Sequence, residues 1–161
     1  MSEHRAEIRL ATENDAPAIG ALIHALDAHY RGLTHAPAIT AATQMVRHTI
    51  ATREGAHFVL AIAESGPVGL AIFAILRPGR DLKGVLYVKE IFVRPEARGQ
   101  GVGTALLRFL KAEAQRRGIG RIDLTTDPDN RGAQRLYARL GGERLEKIAY
   151  RFWIEPGHLE P

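Results

Sequence analysis

A glycine-rich hexapeptide between a strand-like and a helix-like stretch constrains this chain more than any other feature. Residues 98–103 read Arg-Gly-Gln-Gly-Val-Gly and follow an apolar run that ends at Val93. After the loop, apolar residues recur at helical spacing: Val102, Leu106, Phe109 and Leu110. The glycines let the backbone approach a bulky anion, and the first amides of a helix have no internal partners. A phosphate or pyrophosphate is therefore the natural occupant of this loop.

The spacing of the loop excludes two common phosphate-binding motifs. A dinucleotide fingerprint needs a third glycine where this chain has Thr104, and a Walker loop needs a Gly-Lys-Ser/Thr ending that is absent here. A glycine-rich turn that only connects strand to helix is the competing interpretation. On the hexapeptide alone, the anion site and the plain turn are equally open.

Strand-like and helix-like stretches alternate along the chain without a repeat or linker, which predicts one domain over residues 1–161. Two-residue periodicity and turn signals predict strands at 8–11, 57–64, 68–76, 85–93 and 122–126, with one or two final strands in 145–154. Three-to-four spacing predicts helices that begin near Thr12, near Ala42, at Gly101 and at Arg131, with residues 31–40 as a loop. We expect an α+β fold with a mixed, mostly antiparallel central sheet and helices on both faces.

Composition narrows the function classes. The chain has no cysteine, which excludes disulfides, a thiolate zinc site and a cysteine nucleophile, and fits a reducing cytoplasm. Met1–Arg5 lacks the apolar stretch of a signal peptide, and no segment approaches ~18 apolar residues, so we expect an unexported protein without a membrane partner. The net charge of +4 is spread among acids, which argues against nucleic acid.

Histidines do not predict a metal site. The chain has seven, but none has the H-E-x-x-H or a comparable ligand spacing. We therefore expect no metal.

Three blocks of sequence resemble one family. Residues 88–107 read VKEIFVRPEARGQGVGTALL, a strand ending in an apolar residue-x-Pro followed by Arg-x-x-Gly-x-Gly. Residues 130–141 read NRGAQRLYARLG, and residues 8–16 read IRLATENDA. The first two blocks resemble motifs A and B of the GNAT (GCN5-related N-acetyltransferase) superfamily, and the third resembles the usual start of such proteins. The resemblance covers nearly the whole chain, in the right order.

The resemblance implies a binding site for acetyl-CoA. In the family, the strand matching 85–93 splays from the strand matching 122–126, and the cofactor lies in the resulting V. The backbone of Phe92 and Val93 is then expected to hold the acetyl and pantetheine groups. The pyrophosphate is expected on amides of the loop: Arg98, Gly99, Gln100, Gly101, Val102, Gly103 and Thr104. Asn130 matches a position that contacts the pantetheine arm, although an Asx turn or helix cap explains it equally well.

Two residues match catalytic positions. Tyr137 matches the tyrosine whose hydroxyl lies near the cofactor sulfur, where it would stabilise the departing thiolate; simple packing against the sheet is the alternative. Glu90 occupies a strand position that often carries an acid in relatives and would take the proton of the amine directly or through a water. A carboxylate paired with an arginine is the alternative for Glu90. Because we expect a bulge in this strand, the direction of its side chain cannot be assigned from the two-residue period.

The acceptor side is less defined by sequence. His29 and Tyr30 lie at the end of the first helix, which borders the acceptor site in relatives, and are our candidates for substrate binding. Trp153 is expected to pack in the last strand. Gly142 departs from the family, which usually has Phe there.

The resemblance implies an acetyl-CoA-dependent N-acetyltransferase. We expect direct attack by a primary amine, most simply of a small molecule, in a ternary complex. The alternative is a non-catalytic acyl-CoA-binding or regulatory module on the same fold. The identity of the amine, the length of the acyl group and formation of a homodimer stay open.

Overall fold

The computed structural model describes residues 6–53 and 55–154. Five strands lie in this part of the chain: β1 Glu7–Leu10, β2 Ala56–Ala63, β3 Gly66–Leu76, β4 Val85–Val93 and β5 Arg121–Leu124. It also contains four α-helices: α1 Ala16–Arg31, α2 Ile39–Thr52, α3 Val102–Arg116 and α4 Arg131–Arg139. Short 3-10 turns precede α1, α2, β4 and α3. The expectation about a leader in residues 1–5 falls outside the described residues.

The strands form one sheet in the order β1-β2-β3-β4-β5. The first three pairings are antiparallel, and β4 pairs with β5 in parallel. A crossover helix, α3, makes the parallel pairing possible because parallel strands cannot be joined by a tight turn. The predicted α+β fold with a mixed, mostly antiparallel sheet is confirmed.

Helices cover both faces of this sheet, and each face has its own apolar core. On one face Ile19 and Leu22 of α1 and Val46 of α2 pack with Phe92. On the other face, α3 contributes a buried stripe to a second core: Val102, Leu106, Leu107, Leu110 and Ala114. Tyr137 and Leu140 of the α4 region pack against this second core. Each fully buried large apolar side chain contributes about 1.5–3 kcal/mol. The period of about 3.6 in α1 and α3 therefore explains why these helices lie flat on the sheet.

A β-bulge in β4 reverses which face its side chains occupy. Ile72 of β3 pairs with Glu90 while the next residue, Phe73, pairs with Val88, so Lys89 is the extra residue. Before the bulge, Val88 belongs to the core under α3; after it, Phe92 belongs to the core under α1 and α2. Because side chains alternate along a strand, Glu90 shares the face of Phe92. The expected bulge is present and directs Glu90 towards α1.

β5 pairs with only the first half of β4, and the two strands separate beyond it. Their pairing ends at Val88 and Leu124, whereas β4 continues to Val93. The second edge of β4 from Lys89 to Val93 thus faces a gap rather than a strand. This gap is the splayed opening that the sequence resemblance predicts.

The prediction of final strands in 145–154 is wrong for the described chain. Residues 143–154 belong to no strand, and the side chains of residues 141–154 are exposed. Trp153, expected to pack in a last strand, is 79% exposed. The residues have strand-forming composition, but a strand needs a partner edge, and this segment pairs with none of the five described strands.

A glycine cap ends α4 and fixes the position of Tyr137. The N–H of Gly142 donates to the carbonyl of Tyr137 at 2.8 Å, and that of Gly141 donates to Ala138 at 3.0 Å. This pattern is a Schellman motif, with Gly141 in the left-handed region at φ 84°. At Gly142, where the family usually has Phe, a Cβ would lie 3.0 Å from the carbonyl oxygen of Tyr137, so the missing side chain lets the backbone close tightly on the end of the helix.

Candidate active site

The glycine loop has a backbone that favours glycine at two positions. Gly99 has φ 75° and Gly101 has φ 80°, both in the left-handed region. A Cβ at either position would have no atom within 4 Å, so open space lies beside both residues. Gly101 is the N-cap of α3 and offers no side chain to the first amides of the helix. The first helical hydrogen bond there runs from Ala105 N–H to the Gly101 carbonyl at 2.9 Å. The amides before it have no acceptor within the helix and are available to an external one.

Side chains anchor this loop to its surroundings. Arg98 Nε donates to the carbonyl of Val93 at 3.1 Å, which folds the guanidinium back onto the end of β4. Gln100 Nε2 donates to the Glu96 carbonyl at 3.0 Å. These two hydrogen bonds fix the conformation of the loop before any ligand binds. An anion bound in front of α3 would also face the positive end of the dipole of α3.

Helix α4 is held against the start of α3. A Cβ at Gly103 would lie 3.3 Å from Leu136 Cδ2, so the missing side chain lets the two helices approach. Arg139 Nη2 donates to Thr104 Oγ1 at 3.4 Å. These contacts bring Tyr137 and the glycine loop to the same end of the sheet.

Glu90 is half-buried and carries a perturbed carboxyl group. Burial raises its pKa above the ordinary value, the charge of Lys89 opposes this rise, and the charges of Asp27 and Asp127 add to it. Within the described chain the carboxyl group of Glu90 forms no ion pair or side-chain hydrogen bond, so the described residues do not show the arginine-paired alternative. A carboxyl group of this kind can accept a proton closer to neutral pH than an exposed one.

Tyr137 reaches the same region from the opposite face of the sheet. Its ring packs on the core under α3, and its pKa is raised by burial and then by the charges of Tyr30 and Glu90. Tyr30 of α1 and Glu90 of β4 therefore lie within electrostatic range of the Tyr137 hydroxyl of α4. A raised pKa keeps the phenol protonated and available as a hydrogen-bond donor.

Asn130 acts as the cap of α4. Its Oδ1 accepts from the backbone N–H of Ala133 at 3.1 Å. The helix-cap interpretation of this residue is therefore correct as far as the oxygen is concerned, and its amide NH₂ retains two donors for another group.

His29 and Tyr30 lie together at the end of α1. Their rings are in edge contact at 5.1 Å between centroids, and the His29 ring lies 6.4 Å from that of Phe92. His29 Nε2 is also 3.2 Å from Arg98 Nη2. The structure thus brings both predicted acceptor-side residues to the gap and the glycine loop.

Sequence reasoning missed two carboxylates near Glu90. Asp27 in α1 and Asp127 just after β5 both act on the pKa of Glu90. Neither belongs to a motif; the proximity of Asp27 depends on how α1 crosses the sheet, and that of Asp127 on the position of β5 beside β4. No sequence signal could have found them.

Within residues 6–53 and 55–154, no group of three His, Asp or Glu side chains could hold a metal ion. None of the helices described there is both long and apolar enough to span a membrane.

Comparison with known proteins agrees with the class of site that this geometry defines. Residues 22–142 match the model of the acetyltransferase (GNAT) family, and the chain belongs to that family. It is 33% identical over 86 residues to an L-2,4-diaminobutyric acid acetyltransferase of Bordetella parapertussis, a match covering 53% of this chain and 45% of that protein. It is 46% identical over 87 residues to a mycothiol acetyltransferase of Kineococcus radiotolerans, covering 53% of this chain and 27% of that protein. The matched stretch therefore spans less than half of either relative.

Solved structures share the fold. An integron cassette protein from the mobile metagenome of V. cholerae superposes with a TM-score of 0.84 at 25% identity, covering 92% of this chain and 93% of that one. The α+β architecture of this chain is therefore that of known folded proteins over almost its whole length.

Proposed function

We propose that this protein is an acetyl-CoA-dependent N-acetyltransferase that acetylates a primary amine of a small molecule. The observation that supports the proposal is the gap where β4 separates from β5 beside the glycine loop, with Glu90 and Tyr137 within electrostatic range of each other. A group that accepts a proton and a group that donates a hydrogen bond thus flank one opening. Transfer of an acyl group to an amine needs both.

The residues at the gap fit the acyl donor. Unpaired amides at the start of α3, with open space at Gly99 and Gly101, suit a pyrophosphate. The unpaired edge of β4 at Phe92 and Val93 offers backbone groups to an amide-containing arm. The NH₂ of Asn130 can reach the same arm from α4. The bound donor would supply a thioester carbonyl to the site.

Glu90 and Tyr137 would have different roles in the transfer of protons. An alkyl amine is mostly protonated at neutral pH, because its pKa is near ~10, and only the free amine attacks a carbonyl. Glu90 accepts this proton, directly or through a water. The amine nitrogen forms the new C–N bond as the C–S bond breaks, and Tyr137 donates a hydrogen bond to the departing thiolate. The nitrogen then loses its second proton, which the thiolate takes up to become the free thiol. Backbone amides of β4 stabilise the charge that develops on the carbonyl oxygen.

Three carboxylates favour an acceptor with positive charge. Glu90 lies within electrostatic range of Asp27 and Asp127, and such a cluster attracts a cationic amine. One relative is named for acetylation of L-2,4-diaminobutyric acid, an amino acid with a second amine. We therefore favour a small molecule with an amine and a further polar group over a protein substrate.

A panel of amines with acetyl-CoA tests the proposal. Release of free CoA thiol can be followed with a thiol reagent directly, because the chain itself has no cysteine. The panel should contain diamino acids, diamines, amino sugars and a peptide with a free N-terminus. Turnover with a small amine is the expected result. Tight CoA binding without turnover of any amine would instead favour the non-catalytic acyl-CoA-binding module.

The variant Tyr137→Phe tests the role of the Tyr137 hydroxyl in the chemical step separately from CoA binding. We expect kcat to fall by about 10²–10⁴-fold, as for a positioned acid, with the Kd of CoA nearly unchanged. The matched control is Tyr150→Phe, which removes the hydroxyl of a tyrosine that is 82% exposed and should leave kcat unchanged. Equal turnover in wild type and Tyr137→Phe would remove the assigned role.

A further inference from the structure

A cleft opens beside β1 and β2, at the edge of the sheet opposite β5. Its volume is about 340 Å³, which lies within the range of small-molecule sites. Its apolar walls come from the end of β1, the end of α2 and the start of β2: Leu10, Ala11, Ile50, Ala56 and Phe58. Three polar residues, Thr49, Arg53 and His57, complete the lining. Apolar walls with a few polar groups are typical of sites that bind small organic molecules.

The cleft is separated from the gap beside the glycine loop in two directions. Across the sheet, β1 and β2 lie at one edge, whereas the gap lies on the side of β4 that faces away from β3. Along the strands, Ala56 is level with Ala74 and, through it, with Tyr87 near the start of β4. The glycine loop instead follows Val93, at the other end of β4. A molecule in the cleft would therefore not contact an acyl donor bound at the gap.

The backbone of β2 is unpaired where the cleft meets it. The last hydrogen bond on this side of β2 runs from the Ala11 N–H to the Phe58 carbonyl at 2.8 Å. Backbone groups two residues apart on a strand point to the same side, so the N–H and C=O of Ala56 point past the end of β1. None of the described strands pairs with Ala56 on that side. A ligand in the cleft thus meets an available backbone donor and an available acceptor.

Arg53 supplies a positive charge to the cleft. It is exposed, and its guanidinium group has no ion pair or hydrogen bond with the described residues. None of the described residues that line the cleft is acidic. The ring of His57 stacks on Phe73 at 4.9 Å between centroids, and burial lowers the pKa of His57, so the imidazole is uncharged at neutral pH. The charge of the described lining is therefore positive and comes from Arg53.

We propose that this cleft binds a small carboxylate with an apolar body, at a site separate from the acyl-transfer site. A guanidinium group matches a planar carboxylate with two parallel N–H donors, and the Ala56 N–H adds a third donor. The apolar body lies between Ile50 and Phe58, where it is removed from water. An inorganic anion would leave these apolar walls in water, and an organic cation would be repelled by Arg53. The inference does not depend on the proposed acyltransferase activity.

Straight-chain carboxylates from butanoate to octanoate test the site, with octanamide as the uncharged counterpart. Titration of the full chain, followed in the ¹H–¹⁵N NMR spectrum, should show affinity rising about 4-fold for each added methylene group that is buried. Octanamide should bind about 10-fold more weakly than octanoate or worse, because it carries no charge for Arg53. The Kd of octanoate should be the same with and without saturating CoA. Displacement of octanoate by CoA, or no saturable binding of any carboxylate in the series, would overturn the proposal.

The variant Arg53→Gln tests the charge, and the spectrum tests the place. We expect the affinity for octanoate to fall about 10-fold or more, whereas the exposed position leaves the fold intact. The matched control is Arg47→Gln, an exposed arginine of α2 outside the cleft, which should bind octanoate like the wild type. Octanoate should move the amide resonances of Ala11 and Ala56 and leave those of residues 99–103 unmoved. Unchanged affinity in Arg53→Gln, an equal loss in both variants, or shifts confined to the glycine loop would contradict the assignment.

Discussion

Nη2 of Arg98 lies 3.2 Å from Nε2 of His29, so the last turn of α1 is joined to the glycine loop. Because a guanidinium group only donates, the ring nitrogen of His29 must accept, which requires the neutral imidazole. Arg98 is held on its other side by the Val93 carbonyl. The contact couples the helix on the acceptor side to the loop that we propose binds pyrophosphate.

Loss of the His29 acceptor should weaken donor binding. We expect His29→Ala to raise the Kd of CoA about 2–10-fold, the equivalent of one hydrogen bond of ~0.5–1.5 kcal/mol, because Arg98 loses an anchor. Isothermal titration calorimetry measures the change. His29→Gln keeps an acceptor and should recover most of the affinity; equal weakening in both variants would show that the hydrogen bond is not the cause.

The pKa of Glu90 determines where kcat/KM falls on the acid side of its pH profile. A base must be deprotonated, so kcat/KM should fall as pH decreases through the Glu90 pKa, which burial places above its ordinary range. Lys89→Met removes the positive charge that lowers this pKa, and the limb should move to higher pH. Asp27→Asn removes a negative charge that raises it, and the limb should move to lower pH. Shifts of the same sign in both variants, or a limb that persists unmoved in Glu90→Gln, would exclude Glu90 as the base.

The fold was largely predictable because its signals are local. The hydrophobic period distinguishes strands from helices, and the expected strand at 85–93 has the same bounds as β4. The glycines at 99 and 101 signal left-handed backbone directly. Even the bulge at Lys89 could be expected, although its position, which decides the direction of Glu90, could not.

The failures involve long-range partners. Residues 145–154 have the composition of a strand, but pairing depends on a partner edge, and none of the described strands pairs with them. Asp27 and Asp127 lie 100 positions apart in sequence; the crossing of α1 over the sheet brings Asp27 near Glu90, and the parallel pairing of β5 with β4 brings Asp127 there. Local propensity cannot encode either relation.

A methyl group at Gly101 should strain the loop without crowding it. Gly101 has φ 80°, and a Cβ there would have no atom within 4 Å, so the cost of Gly101→Ala is the left-handed backbone of an L-residue, about 1–2 kcal/mol. Urea unfolding should show a lower midpoint at unchanged slope. Gly132→Ala, inside α4 and without positive φ, is the control and should be neutral or stabilising. A loss of similar size in both would mean that φ at Gly101 is not the cause.

Asp15 should stabilise the protein in a pH-dependent way. Both of its oxygens accept from Arg9 at 2.8 Å, and Oδ2 accepts from the Thr12 N–H, so the pKa of its carboxyl is lowered well below the ordinary value. A lowered folded-state pKa means that the stabilisation is complete above the unfolded value of ~3.9 and is lost as pH falls below it. We expect Asp15→Asn to reduce the free energy of unfolding by about 1–2 kcal/mol at pH 7, since Arg9 is partly exposed and the pair is screened. The deficit should shrink towards pH 3, as followed by urea unfolding at each pH.

Glu7→Gln is the control, because Glu7 meets Arg9 only at 3.8 Å and its side chain is 69% exposed, so its effect should stay below ~0.5 kcal/mol. A deficit in Asp15→Asn that is the same at pH 3 and pH 7 would contradict an ionic origin.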